Sequence, residues 1–166
     1  MVKKSAGLLI YRQLGTSADG ALEVLLGHPG GPFWQRKDDG AWTIPKGLLE
    51  GDEEPLAAAR REAAEELGLE VDGDFRWLGE YKQPDGKRVL VWAISPEGAI
   101  DPTSVGSNEF EMEWPPRSGR KQSFPEIDRA DWFSLSEARR KILKGQAPML
   151  DDLQSMLVSA SRTTGR

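Results

Sequence analysis

Glu62, Glu65 and Glu66 stand at i, i+3 and i+4. On a helix these positions share one face, a single turn apart. Three carboxylates so placed repel one another, and a cation nearby removes the conflict. Carboxylate oxygens are hard ligands that suit magnesium, manganese or calcium. Arg61 lies four residues before Glu65 and can pin it by a charge-assisted bond. The ordinary alternative is a solvated acidic face with pairs to Arg60 and Arg61. The residues on either side decide between the two.

The glutamates need a helix to carry them. Pro55 suits a first helical position, where its missing N–H has no partner anyway. Leu56–Leu67 is rich in alanine, glutamate and arginine and holds no proline or glycine. Gly68 fits the left-handed stop. Ahead of this helix, Ala6–Tyr11 and Leu22–Leu26 read as strands, with a turn in Gly15–Gly20. His28–Gly40 reads as loop. Arg76–Gln83 and Lys87–Ile94 form a hairpin about Pro84-Asp85-Gly86. Ser95–Pro125 is a long turn-rich stretch with one short strand near Phe110–Trp114, and such stretches are often functional. Alternation of Glu109, Glu111 and Glu113 with Phe110, Met112 and Trp114 is the pattern of a half-exposed strand. Ala130–Phe133 ends a strand. Ser136 and Glu137 open a helix to about Lys144. A last amphipathic helix covers about Pro148–Ser159, and 160–166 is expected to be a frayed tail.

Composition narrows the chemistry. The 166 residues suit one domain, taken as 1–166. There is no cysteine and only one histidine, His28. Disulfides, thiolate sites, a cysteine nucleophile and a multi-histidine zinc site are therefore excluded. A net charge of -5 argues against duplex nucleic acid as a partner. No signal peptide or membrane span is visible, so a cytoplasmic location is expected.

The segment Gly47-Leu-Leu-Glu-Gly-Asp-Glu53-Glu-Pro-Leu-Ala-Ala-Ala-Arg-Arg61-Glu62-Ala63-Ala-Glu65-Glu66-Leu-Gly68-Leu69 resembles the Nudix box, G-x5-E-x7-R-E-U-x-E-E-x-G-U, where U is apolar. Every fixed position matches. At about 6–7 per cent usage per residue type, seven such matches arise by chance in about one sequence in a million. The resemblance implies an α+β chain of the Nudix fold: an α/β/α sandwich with a mixed sheet and the box helix beside the catalytic cleft. It implies a pyrophosphohydrolase that uses Mg2+, with Mn2+ as a substitute. Glu62, Glu65, Glu66 and the Gly47 carbonyl would be metal ligands. Glu53 would bind metal or orient the catalytic water, and Arg61 would hold the glutamates. The general base is left open among Glu62, Glu53 and a glutamate on a later loop, for which Glu126 is the candidate. Glu109, Glu111 and Glu113 are weaker rivals.

The lead-in Trp42-Thr-Ile-Pro45-Lys46-Gly47 is similar to that of Nudix members acting on dinucleoside polyphosphates, and of some acting on diphosphoinositol phosphates. It implies that Trp42 and Lys46 meet substrate, Lys46 as a point charge on phosphate. Tyr81 is the nearest match to a tyrosine that such members often carry further past the box. Arg117 and Arg120, beside Trp114, could hold phosphate and stack a base. The aromatic rim at Phe33-Trp34 could sandwich adenine or close the core, and His28 reads as structural. The expected partner is a small-molecule nucleotide, diadenosine tetraphosphate or a relative, bound by a monomer or homodimer without a membrane. The alternatives are ADP-ribose, for which Pro84 is a weak pointer, an oxidised nucleoside triphosphate, an RNA 5′ end, which the acidic balance and single short domain favour least, or a nucleotide sensor that does not cut.

Overall fold

The computed structural model describes residues 4–14, 22–68 and 70–164, the last five as backbone only. The expected Gly15–Gly20 turn and box position Leu69 lie outside the described residues. The elements run β1 (Lys4–Gln13), β2 (Leu22–Pro29), β3 (Lys46–Leu48), α1 (Pro55–Leu67), β4 (Arg76–Lys82), β5 (Arg88–Ile94), β6 (Glu109–Glu113), β7 (Lys121–Pro125), β8 (Ile127–Ser134), α2 (Leu135–Lys141) and α3 (Ala147–Thr164). Strand order in the main sheet is β4-β5-β1-β2-β8, with β3 paired to β1. The sheet is mixed: β5 runs parallel to β1, whereas β2 and β3 run antiparallel to it. Strands β6 and β7 form a separate hairpin arm.

Alternation along β1 sorts the core into two layers. Ala6, Leu8 and Ile10 face α1 and meet its buried side, Ala58, Ala59, Ala63 and Leu67. Small residues on that side let the helix lie close to the sheet. Leu9 and Tyr11 face the other way, into a layer shared with Met149, Leu150 and Leu153 of α3. The result is the α/β/α sandwich.

Helix α1 begins at Pro55 and ends at Gly68, whose φ of 71° is the left-handed conformation expected of it. Four differences from the sequence reading concern the later elements. Helix α2 opens at Leu135, one residue earlier than Ser136, because Ser134 is its cap and accepts a bond from the Glu137 N–H. It also ends at Lys141, short of Lys144. Helix α3 continues to Thr164, so the expected frayed tail is helical backbone through most of its length. The supposed single strand near Phe110–Trp114 has a partner, β7.

Candidate functional site

Strand β3 and helix α1 bring the box together. In β3, Gly47 pairs with Ala6. A methyl group at Gly47 would overlap the carboxyl group of Glu62, so the two sit in direct contact only because this residue is glycine. The neighbouring Lys46 N–H donates to Glu66 Oε2 at 3.2 Å, and the positive charge of Lys46 acts on the same carboxylate. Burial nevertheless dominates and pushes the Glu66 carboxyl up to about 8.

Arg61 is the organiser. Its Nε and Nη2 donate to the two oxygens of Glu53 at 2.8 and 3.0 Å. Its Nη1 donates to Glu62 at 2.9 Å and to Glu65 at 3.2 Å. Nη2 also reaches the Leu48 carbonyl at 3.2 Å. The planar guanidinium matches this fork of oxygens as no ammonium could. Its bonds to Glu53, then to Glu62 and Glu65, hold Arg61 firmly protonated, and the bond from Arg61 holds Glu53 below the usual carboxylate range. Burial moves Glu62 upward despite Arg61. An open groove of about 600 Å³ reaches Arg61 and Glu65 along the outer side of α1.

Glu126 joins this cluster from far along the chain. It links β7 to β8, half-buried, and its pKa is raised by burial and by the charge of Glu65. The backbone of Asn108 sets its place: the Asn108 N–H donates to the Glu65 carbonyl at 3.0 Å, and the Asn108 carbonyl accepts from the Glu126 N–H at 2.8 Å. Nothing in the local sequence signals this positioning role, because both bonds use main-chain atoms. The Glu126 carbonyl also accepts from the Gly30 N–H at 3.0 Å, which ties the 30–40 loop to the same corner.

The fit of a divalent cation rests on this donor set. Among the described residues, no three or more His, Cys, Asp or Glu side chains are placed so that they could hold a metal ion as they stand. The donors are nevertheless all hard oxygens, Glu62 lies against the Gly47 backbone, and burial raises Glu62, Glu66 and Glu126 together. A nearby cation would reverse those shifts by favouring the charged carboxylates. The chemistry of the donor set fits such an ion, and the carboxylates would turn toward it on binding.

Two expected substrate contacts lie elsewhere. Trp42 is 5% exposed and packs against His28 and Phe133 at ring separations of 5.2 and 4.8 Å. Its indole N–H donates to Asp38 at 2.8 Å. Tyr81 is in the same α3-side layer, and its hydroxyl donates to Asp152 at 2.6 Å. Both rings are core, with their polar ends committed, so neither is brought to the glutamates. Arg117 and Arg120 are exposed between β6 and β7, away from the box. His28 is fully buried, its ring nitrogens at 3.0 Å from Asp128 and 2.6 Å from the Lys37 carbonyl, in keeping with a structural role. Along β6, Glu109, Glu111 and Glu113 are exposed while the residues between them are half-buried, as the alternation implied.

A mixed sheet between helical layers, with a box glycine seated on a helix-borne glutamate, defines a Nudix-type architecture. The NUDIX domain profile matches residues 3–153, and the chain belongs to that family. A MutT-like protein of Streptomyces ambofaciens is 39% identical over 74 residues, 44% of this chain and 47% of that protein. The chain therefore aligns with about half the length of that relative. An RNA pyrophosphohydrolase of Francisella tularensis subsp. mediasiatica is 33% identical over 108 residues, 53% of this chain and 70% of that protein. In fold, the chain resembles a C. elegans Ap4A hydrolase binary complex, with TM-score 0.62, 24% identity, and coverage of 95% of this chain and 99% of that one. It also resembles the NUDIX domain of Shewanella oneidensis NrtR complexed with ADP ribose, with TM-score 0.63, 13% identity, and coverage of 95% and 89%.

Proposed function

We propose that this chain hydrolyses a pyrophosphate bond in a nucleotide with a divalent cation, and that its substrate is a dinucleoside polyphosphate such as diadenosine tetraphosphate. The observation that carries the reading is one carboxylate cluster: Glu62 and Glu66 lie against the Lys46-Gly47 backbone, Glu126 acts by charge on Glu62 and Glu66 and feels that of Glu65, and Arg61 spans Glu53, Glu62 and Glu65. Glu62, Glu65, Glu66 and the Gly47 carbonyl would hold Mg2+. The bound ion offsets phosphate charge and lowers the pKa of the attacking water.

The chain's own groups divide the remaining work. Lys46, the cation next to Glu66, meets a phosphate oxygen as a point charge. Glu53 has both oxygens engaged by Arg61, so it positions the site and is a poor proton acceptor. The Glu126 carboxylate makes no hydrogen bond among the described residues, and it stands by Glu65 at the mouth of the cluster. It is the proposed acceptor of the water's proton. The unit of function is the whole sandwich, because Glu126 and the box are far apart in the chain and only the fold brings them to one corner.

The test is product analysis after mixing the protein with magnesium and diadenosine tetraphosphate. The expected products are ATP and AMP. Cleavage of ADP-ribose or a nucleoside triphosphate in its place would keep the chemistry and change the substrate. Binding of these nucleotides without turnover would replace the enzyme reading with a sensor.

A further inference from the structure

The β6–β7 arm and the loop after β2 meet outside the carboxylate cluster. Gly31 lies beneath the Phe110 ring, close enough that a methyl group there would lie 2.9 Å from it. Two residues on, Phe33 is 62% exposed, yet its ring is fixed edge-to-face on Trp114 at 5.7 Å. A large aromatic ring held rigid and left open is a stacking platform.

The turn beyond Trp114 is basic and held in an unusual conformation. Arg117 has φ 63°, the only non-glycine residue with positive φ among the described residues. Its N–H is held by the Glu113 carboxylate at 2.6 Å. Left-handed backbone at such a residue is unfavourable and clusters at ligand clamps. The guanidinium groups of Arg117 and Arg120 have no ion pair among the described residues. The arm is polarised as well: its three glutamates lie on the face opposite Phe110 and Trp114.

Distance selects the ligand. Five residues of strand span about 16 Å, so the tip of the arm at Trp114, Arg117 and Arg120 stands about that far along the arm from Glu126 at its base, and the Phe33 ring reaches out from the Gly30 corner to meet Trp114 there. The base of a nucleotide attacked at its own nearest phosphate falls well short of that. The far nucleoside of a polyphosphate chain reaches it. We infer that Phe33, braced by Trp114, together with Arg117 and Arg120, forms a distal subsite for the second nucleobase and far phosphates of a dinucleoside polyphosphate. The inference rests on the substrate reading above and adds a length-and-end filter to it: two-ended substrates are favoured over one-ended ones.

The experiment compares diadenosine tetraphosphate with adenosine tetraphosphate, which lacks the far nucleoside. Binding is titrated calorimetrically without metal, and turnover is measured with magnesium, for the wild type, Phe33→Ala, Phe33→Tyr and the Arg117→Ala/Arg120→Ala pair. The wild type should bind the two-ended ligand at least tenfold more tightly. Phe33→Ala should remove that advantage and raise KM for diadenosine tetraphosphate about tenfold with kcat little changed. Phe33→Tyr should restore it, and the arginine pair should weaken the two-ended ligand more than the one-ended. Equal binding of both ligands by the wild type, or equal losses in Phe33→Ala, would overturn the subsite. Absence of turnover with the binding preference intact would defeat the cleavage reading and leave the subsite standing.

Discussion

Gly47 is the residue where fold and chemistry cannot be separated. Its missing side chain leaves room for the Glu62 carboxyl group. Gly47→Ala meets only the flexible end of that side chain, so the strand should survive and the carboxylate should move. We expect kcat/KM to fall at least a hundredfold while the melting temperature changes by only a few degrees; near-normal turnover would remove Glu62 from the site. Arg61 gives the complementary case. Arg61→Lys keeps the charge but offers one donor cluster for oxygens of Glu53, Glu62 and Glu65 and for the Leu48 carbonyl. A drop of at least tenfold in kcat is expected, and wild-type kinetics in this variant would show that charge alone suffices. The shared face of the three glutamates and the bond from Arg61 to Glu65 were legible because both follow from helical spacing. Trp42 was not, because a tryptophan ahead of a lysine reads the same whether its ring faces a cleft or, as here, lies between His28 and Phe133.

The carboxyl end of α1 is sealed by the chain that leads to the arm. The Gly106 N–H donates to the Leu67 carbonyl and the Asn108 N–H to that of Glu65, both at 3.0 Å. These bonds satisfy groups that a helix leaves open and simultaneously deliver Glu126. Gly68 makes the approach possible: a methyl group there would overlap the Gly106 carbonyl oxygen. Gly51 also has positive φ, 52°, but has nothing nearby. Gly51→Ala should therefore cost about 1 kcal/mol for backbone conformation alone, and Gly68→Ala measurably more. Urea denaturation of the two variants checks this, and equal losses would mean that the seal is loose. Elements with a period or a strong stop signal, such as β1 and α1, could be read from the chain. Strand β3 could not, since three residues carry no period and its conformation comes from pairing with β1. Strand β7 escaped because Lys-Gln-Ser-Phe-Pro has weak strand preference; its partner β6 imposes the conformation.

At the scale of the molecule, the layer opposite α1 is closed by polar groups as well as by packing. Gln146, fully buried, accepts from the Ile44 N–H at 3.0 Å and donates to Thr43 at 2.8 Å, fixing the strand-like segment that leads into the box. Both tyrosines of the chain belong to this layer, and both titrate above their usual value. Burial is the main cause for Tyr11. For Tyr81 burial acts first, then the bond to Asp152 and its charge. In the unfolded chain a tyrosine ionises near 10. A raised folded pKa means that the unfolded state releases its proton first, so stability is complete below about pH 10 and declines as pH rises toward the folded values. The slope is about 1.4 kcal/mol per pH unit for each such tyrosine. Lys141, raised by its bonds to Asp38 and then Asp39, also loses its contribution at alkaline pH, so the wild-type decline alone does not isolate the tyrosines. Tyr81→Phe does: it should be somewhat less stable at pH 8, where it lacks the Asp152 bond, and should lose stability less steeply between pH 10 and 11. Urea unfolding across pH 8 to 11 measures both slopes. Parallel curves for the two proteins would show that Tyr81 ionises in the folded state as readily as in the unfolded one, and that the α3 layer does not hold its proton.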